Sequence, residues 1–274
     1  MRSRLISKLL AAAVVAVAAT AFVVSTAQAR TPAPGYEQFA GCPSPEENSI
    51  DTGCIRSDIT GGHFQMGTKD VPIEKPMVLS GGVDGNLENF AASPAGGLTP
   101  VKQKVPGGVI GLTGLTFLFE LLGSEALTLY AVTELTGAPV IGEELEITLP
   151  IRVHLINSVL GSKCYVGSFS NPITLHLTIG TTNPPPPNKP ISGVPPKVTI
   201  EEEREILNLT GGTWVDNSFA APGANGCVLT LFGFIPISIN GLVNSQSGLP
   251  AAAGTNETRQ DIDISLTARE HVYP

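Results

Sequence analysis

Apolar residues recur at every second position over the longest patterned stretch of this chain. Leu145, Ile147, Leu149, Ile151, Val153 and Leu155 point one way, and Glu146, Thr148, Pro150, Arg152 and His154 the other. Side chains alternate across a strand but recur every 3.6 residues around a helix, so this pattern buries a single face only as a β-strand. Ile173, Leu175, Leu177 and Ile179 repeat it, alternating with Thr174, His176 and Thr178. Shorter pieces follow the same period: Phe64 and Met66, Val71 and Ile73, and Met77 and Leu79, interrupted by Pro72 and Pro76 in the manner of edge strands. Leu127 to Val132, Ile206 to Leu209 and Cys227 to Ile239 continue the theme.

One dry face and one wet face describe half-buried antiparallel strands. The 30 glycines and 23 prolines are spread along the chain and disfavour long helices. The expected fold is all-β, an antiparallel β-sandwich or distorted barrel with long Gly/Pro-rich loops. Its expected layout is an export signal over residues 1–29, an N-terminal arm with a local disulfide over 30–60, and one β-rich domain over 61–274. Within that domain, Thr181 to Asn188 holds four consecutive prolines and reads as a stiff connector between sheets or edges.

The first 29 residues do not share the strand pattern. Arg2, Arg4 and Lys8 precede an apolar run from Leu9 to Val24, and small residues occupy both specificity positions of Ala27-Gln28-Ala29. A positive segment, an apolar segment and an A-x-A site in that order form a secretory signal. This run of sixteen residues, polar only at Thr20, is shorter than the roughly 20 that span a bilayer as a helix. Cleavage is therefore expected between Ala29 and Arg30, which makes the protein secreted or part of the extracellular cell envelope.

All four cysteines, Cys42, Cys54, Cys164 and Cys227, follow that site, and an even number in an exported chain reads as disulfides. Three pairings are possible. The turn-rich flanks of Cys42 and Cys54, and the strand-like flanks of Cys164 and Cys227, favour joining each of those two pairs.

Processing would remove three of the 16 basic residues and none of the 24 acidic ones, leaving a net charge of −11. So acidic a chain is a poor partner for nucleic acid, whose phosphates need clustered Lys and Arg. At 5% aromatic residues, stacking platforms for sugars or bases are scarce, and Trp214 is the only tryptophan.

The search for chemistry yields little. No G-x-S-x-G, H-E-x-x-H, P-loop or G-x-G-x-x-G pattern occurs. His63 sits beside Gly61-Gly62, His271 lies near the C-terminus, and His154 and His176 fall on the polar faces of expected strands. Were those two strands paired, the imidazoles could meet and bind a metal with Glu146, but solvent-facing strand residues explain them more simply. Glu143, Glu144 and Glu146, and Glu201, Glu202, Glu203 and Glu205, are acidic runs that suit a solvated loop or a sheet edge protected from pairing better than calcium or glycoside chemistry. Asp216, close to Trp214, is isolated. The apolar, glycine-rich stretch from Pro106 to Gly123 reads as a core-packed loop with a short helix near Leu115 to Leu122; its exposure would instead signal membrane contact.

Several segments taken together, among them Val71-Pro72-Ile73-Glu74-Lys75-Pro76, Val105-Pro106-Gly107-Gly108-Val109-Ile110-Gly111, Leu149-Pro150-Ile151-Arg152-Val153-His154-Leu155, Gly161-Ser162-Lys163-Cys164-Tyr165-Val166-Gly167 and Val215-Asp216-Asn217-Ser218-Phe219, resemble uncharacterised secreted proteins of high-GC actinobacteria. The resemblance implies export, a β-rich fold and a Cys164–Cys227 bridge, and carries over no catalytic, cofactor or metal residue. The expected role is a non-enzymatic exported binding or surface module that uses no cofactor and has an unidentified partner. An extracellular hydrolase built on polar-face histidines and carboxylates is the first alternative, and a membrane-interacting or pore-forming protein the second.

Overall fold

The computed structural model describes residues 30–117, 126–231 and 234–274. The expected signal over 1–29, with Ala29 at its cleavage site, lies outside the described residues. So does most of the helix expected over Leu115 to Leu122.

Two antiparallel sheets pack face to face, a sandwich and not a closed barrel. In sheet A the strand order is β12 (Lys197–Glu201), β13 (Ile206–Asp216), β17 (Glu257–Ala268), β1 (Gly53–Met66), β3 (Met77–Val83) and β4 (Phe90–Ala91). Strands β2 (Lys69–Pro72) and β5 (Gly97–Leu98) add to β1 and β3. In sheet B the order is β14 (Ala224–Asn225), β10 (Tyr165–Val166), β9 (Ile147–Ile156), β7 (Tyr130–Leu135) and β6 (Gln103–Lys104). Both β8 (Val140–Ile141) and β11 (Ile173–Leu177) also pair with β9. A separate hairpin joins β15 (Val228–Leu231) to β16 (Ile235–Ser238), so the Cys227 to Ile239 stretch folds back on itself.

Strand β9 follows its alternation, burying Ile147, Leu149, Ile151, Val153 and Leu155 in turn. Leu145 does not join it. Glu144 and Leu145 take positive φ values of 55° and 62°, and the Trp214 indole N–H donates to the Leu145 carbonyl at 2.9 Å. Opposing sheet A contributes Ile55, Ile59, Met77, Leu79, Ile262 and Ile264 to the same core. Strand β1 begins at Gly53, inside the segment read as an arm, and runs through Gly61-Gly62, which pair with Asp261 and Gln260 just beyond a bulge at Thr60.

Helix α1 (Gly108–Thr113) seats Val109 and Leu112 in the core, so the first half of the glycine-rich stretch packs inward. Helix α2 (Asn240–Ser247) does the same with Val243. The proline-rich connector carries the chain from β11 in sheet B to β12 in sheet A. Residues 30–50 and helix α3 (Arg269–Val272) meet on the outer side of sheet A around Phe39, Ile206, Val272 and Tyr273. The Tyr273 hydroxyl donates to the Cys42 carbonyl at 2.9 Å, and the Ala33 N–H to the Val272 carbonyl at 2.8 Å.

Two disulfides lock these arrangements. Cys42–Cys54 closes the arm onto the start of β1, with Cα atoms 5.4 Å apart. Cys164–Cys227 ties the approach to β10 to the approach to β15, with Cα atoms 4.1 Å apart. Paired cysteines fit an extracellular or otherwise oxidising environment. Among the described residues no helix is long and apolar enough to cross a membrane.

Candidate functional site

The outer face of sheet B carries a constellation of stacked polar and aromatic side chains. Register alone brings them together: β7 sets Glu134 opposite Arg152, and β10 sets Tyr165 opposite His154. After β10 the chain turns tightly over Ser168 to Asn171. The Asn171 N–H donates to the Ser168 hydroxyl, and the Ser168 N–H to the Asn171 carbonyl, each at 3.0 Å. This turn returns Phe169 over β9 while leaving it 66% exposed.

The outcome is a ladder of flat groups. The Arg152 guanidinium lies 4.2 Å from the centroid of the Tyr165 ring and 4.2 Å from that of Phe169. His154 stacks on Tyr165 with centroids 4.2 Å apart and planes 19° apart. Glu134 holds the charged member: its Oε2 accepts from Arg152 Nε at 2.9 Å and from Nη2 at 2.6 Å. Its Oε1 lies 3.5 Å from His154 Nδ1. A guanidinium over a ring contributes about 0.5–1 kcal/mol at a partly exposed site, and a carboxylate gripping two of its N–H groups fixes the plane. The face is thus ordered before any ligand arrives.

The histidines do not form a metal site. His176 lies opposite Thr148, its Nδ1 3.3 Å from the Thr148 hydroxyl, whereas His154 is six residues along β9. That spacing puts them about 20 Å apart. His63 sits in β1, with Nδ1 2.8 Å from Asp70 and Nε2 3.8 Å from Glu257. His271 Nε2 lies 3.5 Å from Glu205. The two glutamate runs occupy the turn into β9 and the β12–β13 turn, and among the described residues no group of three His, Cys, Asp or Glu side chains could hold a metal ion. Between the sheets lie cavities of about 50 and 30 Å³. Apolar side chains line the larger, with Gln103, Thr133 and Gln260.

Two aspartates are buried without a cation gripping them. Burial raises the Asp216 pKa, opposed by the backbone N–H groups of His176 and Ser218, which donate to it at 2.8 Å each. Burial likewise raises that of Asp51, with Arg269 opposing and Asp84 adding to the rise. Asp51 Oδ2 has no hydrogen-bond partner and lies against the backbone of Gly82, where a Cβ would fall 2.3 Å from it.

Folded Asp51 therefore keeps its proton to higher pH than the unfolded chain does. Its favourable contribution is full below the unfolded value of about 3.9 and is lost as pH rises through the folded one. Asp51→Asn, which does not ionise, is expected to gain stability relative to the native protein between that pH and neutrality. Urea unfolding at both ends of the range measures the difference, and a flat or reversed trend would refute the assignment.

Compared with protein-family models, with curated proteins and with solved structures, the chain matches none. The functional reading therefore rests on the molecule itself.

Proposed function

We propose that this chain is an exported, disulfide-stapled binding module that acts without catalysis and engages its ligand on the Phe169–Arg152–Tyr165–His154 face of sheet B. The observation that carries the reading is the guanidinium held between two rings, one of them two-thirds exposed. Aromatic residues and arginine dominate binding hot spots because they offer large contact area with few freely rotating bonds. Here the rotamers are already restrained by stacking and by Glu134, so little ordering cost remains for binding.

A pyranose ring of a cell-envelope glycan suits this chemistry. The Phe169 ring covers its C–H face, and Nη1 of Arg152, which Glu134 leaves free, reaches a hydroxyl. The two disulfides and the signal pattern of residues 1–29 support placement in the envelope or outside the cell.

Retention of the purified protein on insoluble cell-wall glycan provides the test. Phe169→Ala and Arg152→Ala are each expected to weaken retention about tenfold, the size of a single hot-spot loss, with unchanged far-ultraviolet circular dichroism. Native protein that passes through unretained, or variants retained as well as the native protein, would overturn the reading.

A further inference from the structure

Strand β12 is the end of sheet A, and among the described residues it pairs with β13 alone. Val198 and Ile200 on it are 59% and 65% exposed. The register sets Val198 beside Leu209 and Ile200 beside Leu207, so both belong to the core-facing side of the sheet. Sheet B does not reach that far. Leu207 and Leu266 continue the apolar surface into an open groove of about 310 Å³ that also touches Val83 and Leu87. An exposed apolar strand edge offers unpaired backbone donors and acceptors to another strand.

We propose that β12 pairs antiparallel with β12 of a second copy of this chain across a two-fold axis centred on Thr199, joining the two A sheets. The order Lys197-Val198-Thr199-Ile200-Glu201 is complementary to itself in that register. Lys197 faces Glu201 of the second copy and Glu201 faces its Lys197. Val198 and Ile200 form two apolar cross-strand pairs, and Thr199 meets Thr199. Beyond the strand, Glu202 and Glu203 fall opposite Pro196 and Pro195, so no like charges meet.

Neighbouring registers lack this match. Centring on Ile200 sets Glu202 against Val198, a carboxylate within the apolar pair. Centring on Val198 leaves Lys197 opposite Thr199 and Glu201 opposite Pro195, with no charge paired. The flanking prolines and glutamates therefore confine pairing to five residues and do not abolish it. A two-fold contact also uses both free edges at once and stops at the dimer. Pairing by strand addition over so short a segment buries little area, so the dimer depends on concentration.

Sedimentation velocity of the purified protein over a concentration series tests this, with charge reversal as the probe. The native protein is expected to pass from monomer to dimer. Lys197→Glu and Glu201→Lys are each expected to weaken the dimer roughly tenfold, since each turns two opposite-charge pairs into like-charge ones. The double reversal restores the charge match and is expected to restore dimerisation. Glu201 also accepts from Arg204 Nε at 2.6 Å, so thermal melting of each variant separates a folding defect from an association defect. A monomer at every concentration, a dimer indifferent to the single reversals, or a double reversal no better than the singles would overturn the proposal.

Discussion

Trp214→Ala is expected to lower the unfolding free energy by about 3–5 kcal/mol, the largest effect of any single substitution in the β13–β17 region. Trp214 has no exposed surface. Truncating it leaves a cavity in the sandwich core and strips the Leu145 carbonyl of its indole donor. Leu145 is held at φ 62°, a conformation that disfavours a bulky residue, so the indole also steadies the turn into β9. Trp214→Phe keeps most of the volume while removing the N–H, and a smaller loss of about 1–2 kcal/mol is expected for it. Urea unfolding followed by circular dichroism distinguishes the two. An alanine variant within about 1 kcal/mol of the native protein would show that Trp214 does not anchor the core. Typical domains hold only about 5–15 kcal/mol in reserve, so the alanine variant stands near the limit of folding.

Replacing Cys164 and Cys227 together with serine is expected to cost about 4 kcal/mol, against about 3 kcal/mol for the Cys42 and Cys54 pair. The difference comes from the separations of 63 and 12 residues, since a longer closed loop removes more freedom from the unfolded chain. Topology gives the longer loop added weight. Within it the chain leaves sheet B, crosses to sheet A for β12 and β13, and returns to sheet B at β14. Without the bridge that excursion must be closed by strand pairing alone, and the two residue pairs joining β10 to β14 are a weak clasp. Denaturation of the two serine double variants gives the ranking directly. Equal losses, or a larger loss at Cys42 and Cys54, would contradict the loop-closure account.

The candidate binding face shows where sequence reading stops. Arg152 and His154 are visible as polar-face residues of an expected strand, because alternation assigns the face of each residue without knowledge of any neighbour. Their partners are not visible. Glu134 and Tyr165 reach them through the pairing of β9 with β7 and β10, and Phe169 through a turn set by Ser168 and Asn171. Pairing is a long-range property, and nothing local to Phe169 marks it as the cap of a guanidinium. The same lack of register information allowed a metal site from His154 and His176, which the pairing of His176 with Thr148 rules out. Charge self-complementarity in Lys197 to Glu201 is present in the sequence, but it acquires meaning only once β12 is known to be an edge.

By itself the sequence determined the class of fold, since period-two burial in β9 and β11 admits only strands, and it determined which faces of those strands are dry. It also favoured both cysteine pairings from their flanks. Tertiary structure decided what happens where the period slips. Strands β1 and β13 each hold one extra residue against β17, between Ile59 and Gly61 beside Ile262 and between Leu209 and Gly212 beside Asp263. Each bulge reverses the parity of the residues beyond it. Ile59 and Phe64, an odd number of residues apart, thus both reach the core, and so do Leu209 and Trp214. Gly211, with φ at +70°, supplies the backbone conformation one of these bulges needs. A bulge is defined by the strand it fails to match, so it can be located only when β17 lies between its two neighbours.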